Sequence, residues 1–147
     1  MVSEKLKLQN QLCFPVYAAS RLITREYQPF LDKIGLTYPQ YLVLLVLWET
    51  DGMTVNEISQ RLILNTNTVT PLLQRMEATG IIVRQRSGED ERRVLVNLTE
   101  KGKGLQLAAA EIPEKLSESL LASDLSVEEL MALKQTLHRV IAFLSKK

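Results

Sequence analysis

Cys13 is the single cysteine of the chain, and its thiol is the strongest nucleophile the side chains offer. As a thiolate it would attack peroxides; the thiol itself does not. A lone cysteine on an apolar face is otherwise a small buried hydrophobe. At pH 7.5 a thiol of ordinary acidity, near 8.5, is roughly 10% ionised, so full ionisation gains at most about tenfold. Any further reactivity must come from orientation and from an apolar pocket that admits an organic hydroperoxide. A helix N-terminus and tyrosine hydroxyls are the groups at hand to favour the thiolate. One cysteine rules out an internal disulfide, and one histidine, His138, leaves too few ligands for a structural zinc. No Gly-rich phosphate loop, G-x-S-x-G or H-E-x-x-H is present, so no metal or cofactor is expected.

A second group of residues suits nucleic acid. Thr66, Asn67, Thr68, Thr70, Gln74 and Arg75 open a helix with an unusually polar face. Threonine and asparagine exchange hydrogen bonds with base edges or phosphates, and also cap helices well. Behind them Arg84 and Arg86 stand on one side of a turn and Arg92 and Arg93 on the other, with Glu89, Asp90 and Glu91 between. Arginine is drawn to the negative potential of a narrow minor groove. Asp90 can hold the Arg92 guanidinium in a fixed fork. A solvated, salt-laced hairpin would carry the same charges.

These residues need elements to position them. Leu12, Val16, Ala19, Ile23, Tyr27 and Phe30 recur at helical spacing, predicting a helix over 11–31 with Pro29 kinking or fraying its end. Thr37-x-x-Gln40, with Pro39, opens an apolar helix whose Leu42–Leu47 run and Trp48 belong to the core. Thr54-x-x-Glu57 starts a short helix, and a second follows over 66–79, closed by Gly80. The period then drops to two, predicting a β-hairpin through Leu98. Thr99 caps a helix toward Leu121 that Pro113 should bend or interrupt. Ser126-x-x-Glu129 starts the last helix, where Leu130, Leu133, Leu137, Val140 and Leu144 form a heptad seam. A short helix, a tight turn, a polar second helix and an arginine hairpin make a winged helix-turn-helix. The fold class is mostly α with a small β-hairpin.

The segments Gln11-Leu12-Cys13-Phe14, Leu36-Thr37-Tyr38-Pro39-Gln40-Tyr41, Thr68-Val69-Thr70-Pro71-Leu72-Leu73 and Glu89-Asp90-Glu91-Arg92 make the chain resemble the MarR family of winged-helix regulators. The likeness is to its organic-hydroperoxide-sensing branch (OhrR-like, SarZ-related). The resemblance implies a homodimer joined through N- and C-terminal helices, 1–35 and 99–147, around a DNA-binding region at 37–98. It implies that Cys13 is the peroxide-reactive thiol, hydrogen-bonded by Tyr27 and Tyr38. Pro15 departs from the usual apolar residue there: the helix must start close to Cys13 or distort beside it. A second cysteine that some members use to resolve the oxidised thiol is absent, so a small external thiol would have to serve. Tyr27 follows Cys13 by 14 residues, about 21 Å along a straight helix, too far for a bond within one subunit. A composite site across two subunits is expected.

Composition frames the choice of function. The 147 residues are 46% hydrophobic and 24% charged, those of a globular chain with one domain. The longest apolar run, Tyr41–Trp48, is far short of a membrane span, and no N-terminal segment reads as a secretion signal, so a cytoplasmic protein is expected. A net charge of +1 provides no global field, so DNA contact depends on where the arginines sit. The leading reading is a repressor of a pseudo-palindromic double-stranded operator, released when an organic hydroperoxide oxidises Cys13 and a low-molecular-weight thiol caps it. The alternatives are a regulator gated by a non-covalent ligand with Cys13 inert, and a thiol peroxidase. The peroxidase lacks the proline- and threonine-containing loop such enzymes carry before the cysteine. A protein-interaction module without DNA is opposed by the arginine wing.

Overall fold

A computed structural model of the chain describes residues 1–90 and 92–147, and these fall into two compact units, Met1–Ala110 and Glu111–Lys147. In the first, two short 3₁₀ turns (Glu4–Leu6 and Leu8–Asn10) lead into α1 (Cys13–Asp32). Gln11 ties them together: its side-chain amide donates to the carbonyls of Lys5 (2.9 Å) and Lys7 (2.8 Å). Pro15 sits in the first turn of α1, where a backbone N–H would have no helical acceptor, so its missing donor costs nothing there. The helix therefore begins at Cys13 without distortion. It also runs on through Pro29 to Asp32.

Local capping starts the next helices. Thr37 Oγ1 accepts from Gln40 N while Gln40 Oε1 accepts from Thr37 N, opening α2 (Tyr38–Glu49). The same reciprocal pair at Thr54 and Glu57 opens α3 (Val55–Leu62). The α3 helix ends at Ile63 in the left-handed conformation (φ 56°), a costly place for a β-branched side chain. Asn65 then caps α4 (Thr66–Ala78), its Oδ1 accepting from Asn67 N at 2.8 Å. Gly80 (φ 81°) turns the chain away from α4.

The wing strands β2 (Ile82–Arg86) and β3 (Val94–Leu98) pair antiparallel, Ile82 opposite Leu98 and Arg86 opposite Val94. The sheet is three-stranded where the sequence predicts a two-stranded hairpin. A short β1 (Met53–Thr54) pairs with β3 through Met53–Val96 and Thr54–Leu95. Asp51 Oδ1 reinforces that edge by accepting from Leu98 N at 2.9 Å. Leu31, Val43, Leu44, Leu47, Ile58, Val69, Leu73, Met76, Ile82 and Val96 are buried together as the core. Within the predicted core run Leu45 departs, at 37% exposed, because an all-apolar helix cannot turn every face inward.

Thr99 caps α5 (Glu100–Ala109), and the predicted long helix is interrupted ahead of Pro113. The second unit consists of α6 (Ile112–Leu121) and α7 (Val127–Leu144), the latter opened by the Ser126–Glu129 capping box. No residue of α7 is buried. Among the described residues no helix is long and apolar enough to cross a membrane.

Candidate functional site

The α3–α4 pair and the wing enclose a cleft of about 270 Å³ lined by Thr54, Val55, Asn56, Thr66, Thr70, Arg84, Arg92, Arg93 and Val94. Its shape follows from the pattern of α4. Val69, Leu72, Leu73 and Met76 are buried, which turns Thr66, Asn67, Thr70 and Gln74 outward along the opposite face. Pro71 shares that face and lacks the N–H that would bond the Asn67 carbonyl. Of the expected DNA-contacting residues, Thr66, Thr70, Arg84 and Arg92 meet at the cleft. Asn67, Thr68, Gln74 and Arg75 lie exposed along α4, and Arg86 is exposed near the end of β2.

The wing arginines have different surroundings. Asp90 Oδ1 accepts from Arg92 N (3.0 Å) and Arg92 Nε (3.3 Å), a single-pronged contact rather than a fork, and the Arg92 side chain is 92% exposed. Arg84 instead meets Glu77 of α4, through its backbone N–H (2.9 Å) and its guanidinium (3.0 and 3.3 Å). Those bonds, the backbone one foremost, hold the Glu77 carboxyl below the usual carboxylate range. Arg93 lies 3.7 Å from Glu57. Glu91, expected in the acidic tip, lies outside the described residues. The sequence reading missed Glu77 and Asn56 as parts of this region, and it named Arg93 in the wing without counting it among the DNA-contacting residues. Glu77 had no readable signal, because the turn at Gly80 folds β2 back onto α4.

A second site is built around tyrosines. The Tyr27 ring of α1 lies 4.8 Å from that of Tyr38 and 5.8 Å from that of Tyr41, both on α2. Burial pushes the Tyr27 phenol up to about 12, and the neighbouring Tyr38 and Tyr41 add to the shift. Burial raises Tyr38 and Tyr41 as well. Phenols that resist ionisation keep an O–H to donate. Tyr41 was missed, although its spacing of three from Tyr38 places both on one helix face. Cys13 is exposed, at the first residue of α1, and the unbroken helix keeps it about 21 Å from Tyr27 of the same chain. The structure thus brings Tyr27 and Tyr38 together and holds Cys13 of their own subunit apart. No group of His, Cys, Asp and Glu that could hold a metal occurs among the described residues.

A family model described as "Transcriptional regulator SarA/Rot" matches residues 25–107. The organic hydroperoxide resistance transcriptional regulator of Bacillus subtilis (strain 168) is 47% identical over 144 residues, covering 98% of this chain and 96% of that protein. The structure of reduced AbfR of Staphylococcus epidermidis bound to DNA aligns with a TM-score of 0.76 at 38% identity, covering 96% of each chain. The MepR–DNA complex of S. aureus aligns at 0.80 and 26% identity, over 91% of this chain and 98% of that one.

Proposed function

The chain belongs to the SarA/Rot-type MarR family of winged-helix, DNA-binding transcriptional regulators, and from there we propose that it is a repressor switched by oxidation of Cys13. In this reading α4 enters the major groove through Thr66, Asn67, Thr68, Thr70, Gln74 and Arg75. The wing, with Arg86 and the Asp90-oriented Arg92, lies along the minor groove. Two copies bind a pseudo-palindrome with half-sites about one turn, roughly 34 Å, apart. The terminal helices join the copies, so that Tyr27 and Tyr38 of one subunit donate to Cys13 of the other.

The observation that carries the redox reading is the protonated Tyr27–Tyr38 pair, together with an exposed thiol at the N-terminal end of α1. The 47% identity to a hydroperoxide-resistance regulator and the likeness to a protein described in a reduced, DNA-bound form support it. The thiolate attacks the terminal peroxide oxygen; the O–O bond breaks, an alcohol leaves and a sulfenic acid remains. A small thiol then condenses with the sulfenic acid, forming an S–S bond and releasing water. Moving a DNA-competent population from 99:1 to 1:99 takes about 5.5 kcal/mol, more than one added oxygen supplies and within reach of a bulky mixed disulfide.

The test is operator binding by wild type and Cys13→Ser, with cumene hydroperoxide, with and without a small thiol. The expected result is release of wild type by peroxide plus thiol, weaker release by peroxide alone, and a Cys13→Ser protein that stays bound throughout. Equal release of both proteins would replace this reading with a non-covalent gate.

A further inference from the structure

Two carboxylates of the helix-turn-helix already grip two arginines of the wing. Glu77 of α4 accepts three hydrogen bonds from Arg84 of β2, one of them from the backbone N–H. The backbone bond fixes the strand itself and not only its side chain. Arg84 is also better shielded than Arg93 and Arg92, its side chain 23% exposed against 51% and 92%. On the other arm of the hairpin Arg93 faces Glu57, whose carboxylate is itself held by the α3 capping box. A guanidinium that gives two nitrogens to a carboxylate has spent most of its field on that partner.

We propose that Glu77 is a positioning residue for DNA binding: it withdraws Arg84 from the phosphates and, with Glu57 on Arg93, sets the angle of the wing to α4, leaving the wing's DNA contacts to Arg86 and Arg92. The inference rests on the DNA-binding reading and assigns Arg84 a different task from the one its sequence suggests. Glu77 stays charged at physiological pH, since Arg84 holds its carboxyl below the ordinary range. The charge on the Glu77 side of the joint therefore does not change under working conditions.

The experiment measures affinity across a salt series for a duplex enriched from a random pool by the wild-type protein. Arg92→Gln is expected to reduce the salt slope by about 1.8, the count for two lost phosphate contacts, one from each subunit of the dimer. Arg84→Gln and Glu77→Gln are each expected to weaken binding by roughly threefold to thirtyfold with the slope unchanged. The double variant should be no weaker than either single one, because the two residues act through each other. Glu77→Asp, which keeps the charge and shortens the reach, should weaken binding as Glu77→Gln does. The slope counts displaced ions and not the folded fraction, so it reads equally on a destabilised variant. A reduced slope for Arg84→Gln with tighter binding by Glu77→Gln would overturn the proposal: Arg84 would then face phosphate and Glu77 would only screen it. Wild-type protein without salt-dependent binding would overturn the DNA-binding reading itself.

Discussion

Tyr27, Tyr38 and Tyr41 show what a single proton can report. The Tyr27 phenol holds its proton up to about 12, while in an unfolded chain a tyrosine loses it near 10. The folded state binds that proton more tightly, so the stability it contributes is complete below pH 10 and is lost as pH rises from 10 through about 12. A phenolate absorbance titration of the native protein should therefore lag behind the same titration in denaturant. Tyr27→Phe should remove the latest component of the native curve. Coincident native and denatured curves would mean that the cluster is open to water. The wing tip shows the opposite limit. The Asp90–Arg92 pair is so exposed that it adds little stability, and its value lies in where it leaves the guanidinium.

Elements in this chain are joined at a few close contacts, and the tightest lies under α5. Gly102 packs so near the β2 entry that an added Cβ would collide with the Ile81 carbonyl oxygen and press on Leu98 Cδ2 at 3.2 Å. The Trp48 indole donates to the Gly102 carbonyl at 3.0 Å, which ties α2 to the same point. Gly102→Ala must push α5 away from the backbone of the wing root, an overpacking cost of about 1–3 kcal/mol. Urea unfolding followed by the fluorescence of Trp48, the only tryptophan, should show that loss as a lower midpoint. An unchanged midpoint would mean that α5 is free to shift.

For the whole molecule the informative surface is α7. Leu133, Val140 and Leu144 of its heptad are 48%, 47% and 55% exposed, and in α1 Leu12 and Val16 are exposed too. Apolar rows of this kind are covered in a stable protein, and the proposed dimer covers them with a second copy. Sedimentation should find a dimer, and Leu133→Glu combined with Leu144→Glu should give a folded monomer. DNA affinity should then fall by roughly a hundredfold or more, because one chain reaches one half-site. A double variant that remains dimeric would move the interface elsewhere.

Much of this architecture is legible along the chain because it is local. Thr37, Thr54 and Ser126 announce helix starts through partners three residues away, and Gly80 marks the switch from helical to strand period. Pro113 breaks a helix through its own ring, and Pro15 pins the start of α1 beside Cys13 by lacking a donor. Such signals act within one or two turns of backbone, so the order of elements and the polar face of α4 follow from sequence alone. Other features arise where distant segments meet. The strand at Met53–Thr54 exists because Leu95 and Val96 come alongside it; two residues cannot declare a strand themselves. Arg84 reads as a free cation until the turn at Gly80 sets it against Glu77. Tyr27 reads as one of a helical row until α2 brings Tyr38 and Tyr41 over it and burial shifts its proton. Sequence determines which groups are present and how each short segment folds. Only the tertiary structure decides which charges are spent on one another, because ion pairing and desolvation depend on distances that close through space.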